Sequence, residues 1–199
     1  IGMAMGINFV LNPAFSLLPI LVTKHLGGQA LQLAWINSAL GIGTVLGGLT
    51  LSGWGGFKRQ MHTAMLGLAG MGVGGLLIGL TPANWLAMAL LGAFVMGFMN
   101  PICNGPLFAV IQGTVAPEMQ GRVFALMISA AGAISPLGLL IAGPVADHLG
   151  VSLWYMAGGV ICVAMATVSL FVPVLMRMEE GRDGEVAASS AGSLLVTAE

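Results

Sequence analysis

Charged residues are scarce in this sequence. Only 7% of its 199 residues are Asp, Glu, Lys or Arg, whereas 57% are hydrophobic. An average soluble domain carries about 25% charged residues, so a soluble fold of this composition would lack residues for its surface. Lipid is the solvent that tolerates such a surface, and the composition therefore indicates an integral membrane protein.

Further absences narrow the class of protein. No segment sustains the apolar–polar alternation of a transmembrane β-barrel strand. The net charge of −1 gives no electrostatic basis for binding nucleic acid. No nucleophile–base pair or metal-ligand cluster is evident, so we expect no enzyme activity, no metal and no cofactor. The two cysteines, Cys103 and Cys162, lie in apolar segments and are expected to be buried thiols.

What the sequence does contain is six long apolar segments. A helix needs about 20 mostly apolar residues to cross a bilayer, and each segment approaches or exceeds that length. We therefore predict an all-α transmembrane domain over residues 1–176 and a disordered cytoplasmic tail over 177–199. The predicted helices lie near 2–23, 33–53, 61–80, 85–110, 123–146 and 154–176.

The positive charges predict the orientation of these helices. Five Lys and Arg residues lie on one side of the predicted domain and one lies on the other. Because the side richer in Lys and Arg faces the cytoplasm, both ends of this segment are predicted to be cytoplasmic, in a multi-pass protein of the cell membrane. The chain opens within its first predicted helix, so we expect it to continue upstream. The five residues are Lys58, Arg59, Arg122, Arg177 and Arg182, and the sixth is Lys24.

Two short patterns recur at nearly equal spacing. The sequence NPAFSLLP at 12–19 resembles NPICNGP at 100–106, at an offset of 88 residues, and GLTLSG at 48–53 resembles GLLIAG at 138–143, at an offset of 90. Each repeated unit holds three predicted helices, so its second copy enters the membrane from the opposite side. The pattern indicates a 3+3 inverted repeat, which is the plan of many secondary transporters.

Amide side chains recur at four-residue spacing in the first and fourth predicted helices. Asn8 and Asn12 share one helix face, as do Asn100 and Asn104. A buried amide in lipid is costly unless it has a partner or lines a water-filled cavity. Two interpretations follow. The amides, together with Ser16, line a central substrate cavity, or they form hydrogen bonds between helices.

Two connections on the predicted cytoplasmic side carry charge. The sequence GGFKR at 55–59 contains Lys58 and Arg59, and PEMQGR at 117–122 contains Glu118 and Arg122. We interpret both as candidate gating loops. Since Glu118 and Arg122 are four residues apart, we expect them to form an ion pair on a short interfacial helix.

Glycine pairs spaced four residues apart occur at 43 and 47, 70 and 74, and 75 and 79. Small residues at this spacing let two transmembrane helices approach closely. We expect these pairs to mark contacts between helices and to carry no information about substrate.

These motifs together resemble the C-terminal half of a major facilitator superfamily transporter. The resemblance is carried by NGPL at 104–107, PEMQGRVF at 117–124, PLGL at 136–139 and AGPVAD at 142–147. They are similar to the drug-efflux branch that includes macrolide-efflux proteins and enterobactin exporters. The resemblance implies a twelve-helix protein whose N-terminal six-helix half is missing here. It also implies that the first and fourth helices line the cavity and that 55–59 lies where the family has a gating loop.

The resemblance further implies transport of small, amphipathic molecules by alternating access. Proton-coupled efflux of drugs or siderophores is the expected mode, so the expected partners are the substrate, protons, the lipid bilayer and the missing half. No Asp or Glu lies inside a predicted helix, and we therefore place the proton-coupling carboxylate in the missing half. Three alternatives stay open: a six-helix channel, a non-transporting membrane assembly subunit, or a half-transporter that works as a homodimer.

Overall fold

The computed structural model describes residues 16–25, 30–57, 60–82 and 85–171. All regular structure in these ranges is helical. The first helix, α1, is described over residues 16–25 and ends in a π-helical turn at Leu21–His25. The predicted tail, 177–199, lies outside the described residues. The remaining helices are α2 (Ala30–Trp54), α3 (Gln60–Gly79), α4 (Leu86–Thr114), α5 (Pro117–Leu149) and α6 (Val151–Phe171).

Four segments of the described chain are long and apolar enough to cross a membrane. They are Ala30–Trp54, Gln60–Gly79, Leu86–Gly113 and Val151–Val168. A 20-residue helix is about 30 Å long, which matches the hydrocarbon core. The longer α5 is not among them, and it holds Glu118, Arg122 and Asp147. The all-helical fold is thus confirmed for the described chain, while the six-helix 3+3 arrangement stays a prediction.

The helices α3 and α4 occupy the centre of the described bundle. They pack along each other, α3 also packs along α6, and α4 also packs along α2. The contacts of α5 with α6 and α4 are few by comparison. The described helices therefore run in the order α2, α4, α3 and α6 across the bundle, with α5 at its margin.

Glycines allow the close spacing of these helices. A Cβ atom on Gly74 of α3 would lie 2.9 Å from the carbonyl oxygen of Gly92 in α4, and one on Gly79 would lie 2.8 Å from the backbone nitrogen of Met156 in α6. Only a residue without a side chain permits such backbone approach. The prediction that the glycine pairs mark helix–helix contacts is confirmed, because the remaining members also face neighbouring helices: Gly43, Gly47, Gly70 and Gly75.

The bundle has two ends, each with its own apolar cluster. We call one the basic end, because its connections, 55–59 and 115–116, belong to the sequence segments rich in Lys and Arg. Leu68 lies in the cluster toward the basic end with Cys103 and Cys162. Both cysteines are buried free thiols, as predicted. The cluster toward the opposite end contains residues of α1, α2, α3, α4 and α6, among them Leu17, Ile36, Ile78, Ala93 and Tyr155.

Threonine hydroxyls in or next to the helices bond to their own backbone. Thr44, Thr50, Thr81 and Thr167 each donate to the carbonyl oxygen four residues earlier, at distances of 2.7 to 2.9 Å. Such bonds satisfy a hydroxyl group where no water is present. These threonines therefore need no hydrogen-bond partner on a neighbouring helix.

Candidate functional site

The best described candidate residues lie in α4, between α2 and α3. Asn100 and Asn104 are both half-buried and lie one turn apart. The Nδ2 group of Asn104 donates to the backbone carbonyl of Asn100 at 3.1 Å. Pro101 and Pro106 lie inside the same helix, and each removes one backbone N–H donor from it. The structure thus brings two amides together on a helix that two prolines interrupt.

The side-chain amides of Asn100 and Asn104 differ in the hydrogen bonds that they make within the described residues. Asn104 uses its Nδ2 group within α4, which leaves its Oδ1 atom as an acceptor. The carboxamide of Asn100 makes no hydrogen bond to another described residue, and this residue is half-buried. Neither side chain bonds to a neighbouring helix in the described part of the chain. The cavity-lining role and the role in interhelical hydrogen bonding therefore both stay predictions.

The other predicted cavity residues belong to α1 or precede it. Ser16 is exposed in the first described turn of α1. Leu17 and Leu21 of α1 share a core cluster with Ala93 and Met96 of α4, so these two helices lie in the same core. The candidate site residues that lie outside the described residues are Asn8, Asn12, Lys58 and Arg59.

The turn that leads into the basic pair at 58–59 is anchored to α3. Gly55 and Gly56 have φ values of 75° and 77°, in the left-handed region that glycine adopts without strain. The backbone N–H of Phe57 donates to Oγ1 of the buried Thr63 at 2.8 Å. The two consecutive glycines were the available signal for a turn here, whereas the hydrogen bond to Thr63 could not be predicted from the sequence alone.

Glu118 and Arg122 lie in the first two turns of α5. Pro117 begins this helix, a position where its missing N–H has no consequence, so the segment is continuous with α5 and is not a separate interfacial helix. Both charged side chains are exposed. The expected ion pair between them is not formed in the described structure. Exposed pairs of this kind gain little from association, because water screens them.

A cavity of about 230 Å³ lies at the basic end, where α2, α3 and α4 meet. Its walls include Leu51, Thr63, Gly105 and Pro106. Small-molecule sites usually enclose about 300–1,000 Å³, and neither amide of α4 lines this space. In this conformation the cavity is a gap beside Pro106 and is separate from the predicted substrate site.

The apolar helices of membrane-spanning length indicate a multi-pass membrane protein. Comparison with protein families identifies the family to which the chain belongs. The chain matches the sequence profile of the Major Facilitator Superfamily over residues 1–197 and belongs to that family.

Curated relatives agree with the resemblance to the drug-efflux branch, which is confirmed. The chain is 25% identical to macrolide efflux protein A of Streptococcus pyogenes over 171 residues, covering 86% of this chain and 42% of the relative. It is 31% identical to the multidrug efflux pump Tap of Mycolicibacterium fortuitum over 150 residues, covering 74% and 36%. For Tap of Mycobacterium tuberculosis H37Rv, the identity is 32% over 168 residues, covering 82% and 38%. No solved structure matches. The chain thus spans 36 to 42% of the length of these relatives.

Proposed function

We propose that this chain is the C-terminal six-helix half of a transporter that exports small amphipathic molecules across the cell membrane. The transporter works by alternating access, with this half built as a 3+3 inverted repeat and both ends of the segment in the cytoplasm. Protons drive the export. Relatives named as macrolide and multidrug efflux proteins support drugs as the substrate class, with siderophores as the second class to test.

The observation that carries this proposal is the amide of Asn100 in the middle of α4, which makes no hydrogen bond to another described residue. A carboxamide without a partner is costly in lipid, whereas it is stable where water or a ligand reaches it. Asn100 and the Oδ1 atom of Asn104 form a small polar patch next to apolar side chains. Sites with few polar groups in an apolar wall suit amphipathic ligands.

The open faces of α2 and α5 support a missing partner half. In α3, α4 and α6, every glycine whose surroundings are described has an atom of another helix within 4 Å of the position its Cβ would take. Three glycines of α2 and three of α5 have no such neighbour. Two of those in α2 lie seven residues apart and the three in α5 lie eleven apart, so each of these two sets follows one helix face, whereas Gly53 lies near the end of α2. Small-residue faces are where transmembrane helices approach, and we therefore expect the second half to pack along α2 and α5. These glycines are Gly41, Gly48, Gly53, Gly121, Gly132 and Gly143.

The test is efflux by the complete protein in a bacterial strain that lacks its own drug pumps. Cells that make the protein should retain less radiolabelled macrolide than cells with an empty vector, and a protonophore should abolish the difference. Equal retention, with the protein present in the membrane, would contradict macrolide export, and the same assay with a labelled siderophore then tests the second class. Ion conductance without substrate would favour a channel, and efflux by this 199-residue segment alone would favour a homodimer.

A further inference from the structure

The side chain of Gln120, in the first turns of α5, reaches back across the connection to α4. Its Nε2 group donates to the backbone carbonyl of Gln112 at 2.9 Å and to that of Val115 at 3.1 Å. Two backbone bonds accompany it. The Val115 N–H donates to Ile111 at 3.0 Å, and the Gln120 N–H donates to Ala116 at 3.2 Å.

The Val115 N–H supplies one donor to the end of α4, and the Gln120 side chain supplies the donors for the carbonyls of Gln112 and Val115. The last four carbonyls of a helix have no intrahelical N–H partner, and Pro117 has no N–H to give. A residue with positive φ often closes a helix end, but Val115 is extended here, with φ −101° and ψ 129°. A carboxamide carries two N–H donors, and Gln120 directs one to the last turn of α4 and one to the connection.

Little else joins α4 to α5 within the described residues. The two helices make few contacts beyond the connection, and the rings of Phe108 and Phe124 lie 5.8 Å apart. In a helix, Glu118 and Arg122 lie about 160–200° around the axis from Gln120. Because Gln120 is bonded to α4, the exposed faces of Glu118 and Arg122 are directed away from α4.

We propose that Gln120 is a positioning residue that fixes the angle between α4 and α5 and keeps the exposed Glu118 and Arg122 on the face of α5 that is directed away from α4. The proposal rests on the proposed transport function. With the connection fixed, α4 and α5 move together, so a force on the charged turn reaches Asn100 and Asn104. Without the two bonds, α5 has few contacts that would set its angle to α4.

Three substitutions in the full-length protein separate this role from a general effect on the connection. Gln120→Met keeps the length of the side chain and removes both donors. Gln120→Lys keeps a group that can donate to both carbonyls. Gln112→Met is the matched control, because it changes the same residue type in the adjacent last turn of α4, where the side chain is exposed, and preserves the acceptor carbonyl.

The first measurement is the distance between α4 and α5. Spin labels at Ala109 and Leu126, both exposed, report the distribution of this distance by pulsed electron resonance. Cys103 and Cys162 are replaced by alanine in all variants. Gln120→Met should broaden the distribution, Gln120→Lys should restore it, and the control should leave it unchanged.

The second measurement is efflux at several substrate concentrations. Gln120→Met should lower the maximal rate about three- to tenfold, as expected for the loss of one or two hydrogen bonds, and should change KM less than about twofold. If that variant does not accumulate in the membrane, Gln120→Glu replaces it, because it has the same shape and lacks the donors.

An unchanged distance distribution in the donorless variant would overturn the proposal, as would an equal broadening in the control. A lowered efflux rate that Gln120→Lys does not restore would overturn the role in transport. If Gln120→Met broadens the distance distribution but the parent protein exports nothing, the proposed transport function is wrong. The proposed role of Gln120 in fixing the connection between α4 and α5 is then retained.

Discussion

Polar side chains in the helices of this chain differ in which of their donor and acceptor atoms already take part in a hydrogen bond within the helix. The side chains of Thr44 and Asn104 donate to a carbonyl of their own helix, so their donors are occupied. The carboxamide of Asn100 makes no hydrogen bond within the described residues. We therefore predict that Asn100 is the residue of α4 that contacts a substrate.

The first prediction concerns this free amide. Asn100→Ala should raise the KM of efflux about 2- to 10-fold, because one hydrogen bond contributes about 0.5–1.5 kcal/mol. Asn104→Ala should also reduce transport, but less, since its donor is already engaged. The control is Asn37→Ala, because Asn37 donates to the carbonyl of Leu33 at 3.1 Å in the same way. The measurement is efflux kinetics at matched protein levels, and an unchanged KM for Asn100→Ala would contradict substrate contact.

The sequence predicts the pair but not the difference between its members. Four-residue spacing places Asn100 and Asn104 on one helix face. Side chains point toward the N-terminus of a helix, so the later member reaches the carbonyl of the earlier one. The hydrogen bonds of the Gln120 side chain could not be predicted in this way. Its two acceptor carbonyls lie eight and five residues earlier in the chain, and no short sequence pattern specifies the conformation of the connection between α4 and α5.

Glycines in this bundle occupy two kinds of position, which the amino-acid composition does not distinguish. Some contact a neighbouring helix, and at others no atom of another helix lies nearby. Gly47 and Gly48 are neighbours in α2, but Gly47 faces the backbone of Phe98 in α4, whereas Gly48 has nothing within 4 Å. Adjacent residues point about 100° apart around a helix. Apolar length likewise predicts that a helix exists without fixing its ends, since α5 runs from Pro117 to Leu149, beyond the apolar segment at 123–146.

A prediction at the scale of the helices follows from this adjacent pair. Gly47→Leu should destabilise the protein by about 1–3 kcal/mol or more, because its side chain would overlap the backbone of α4. In this segment on its own, Gly48→Leu should leave the temperature of thermal unfolding in detergent nearly unchanged. In the complete protein, Gly48→Leu should impair efflux, since the second half is proposed to pack on that face. Normal efflux by Gly48→Leu would exclude that packing, and normal unfolding of Gly47→Leu would contradict the α2–α4 contact.

For the whole molecule, the distribution of Lys and Arg predicts which end of the bundle faces the cytoplasm. The basic end should be cytoplasmic, because positively charged connections are retained on that side. Reporter fusions test this directly. Fusions after Lys58, Arg122 and Arg182 should read cytoplasmic, and fusions after Lys24, Pro82 and His148 should read external. A cytoplasmic signal after Pro82 would contradict the six-helix arrangement.

The proposed proton coupling would best use a titratable carboxylate, which the described membrane-spanning helices do not contain. A proton antiporter needs a side chain that changes protonation and that both sides of the membrane can reach. The helices α2, α3, α4 and α6 contain no Asp or Glu. The acidic residues of α5 are Glu118 in its first turn and Asp147 in its last. Neither position lies inside one of the four segments that are long and apolar enough to cross a membrane, so the coupling carboxylate is predicted to lie in the other half.

The last prediction is therefore that Asp147→Asn retains most of the dependence of transport on a pH gradient. Asn preserves the shape of the side chain and removes its titration, so the variant isolates proton binding from packing. The measurement uses the complete protein in reconstituted vesicles, with uptake driven by an imposed pH gradient and, separately, with downhill substrate exchange. Both activities should stay close to those of the parent protein. If the substitution abolished gradient-driven transport while downhill exchange continued, Asp147 would be the proton site, and this half would itself carry the coupling.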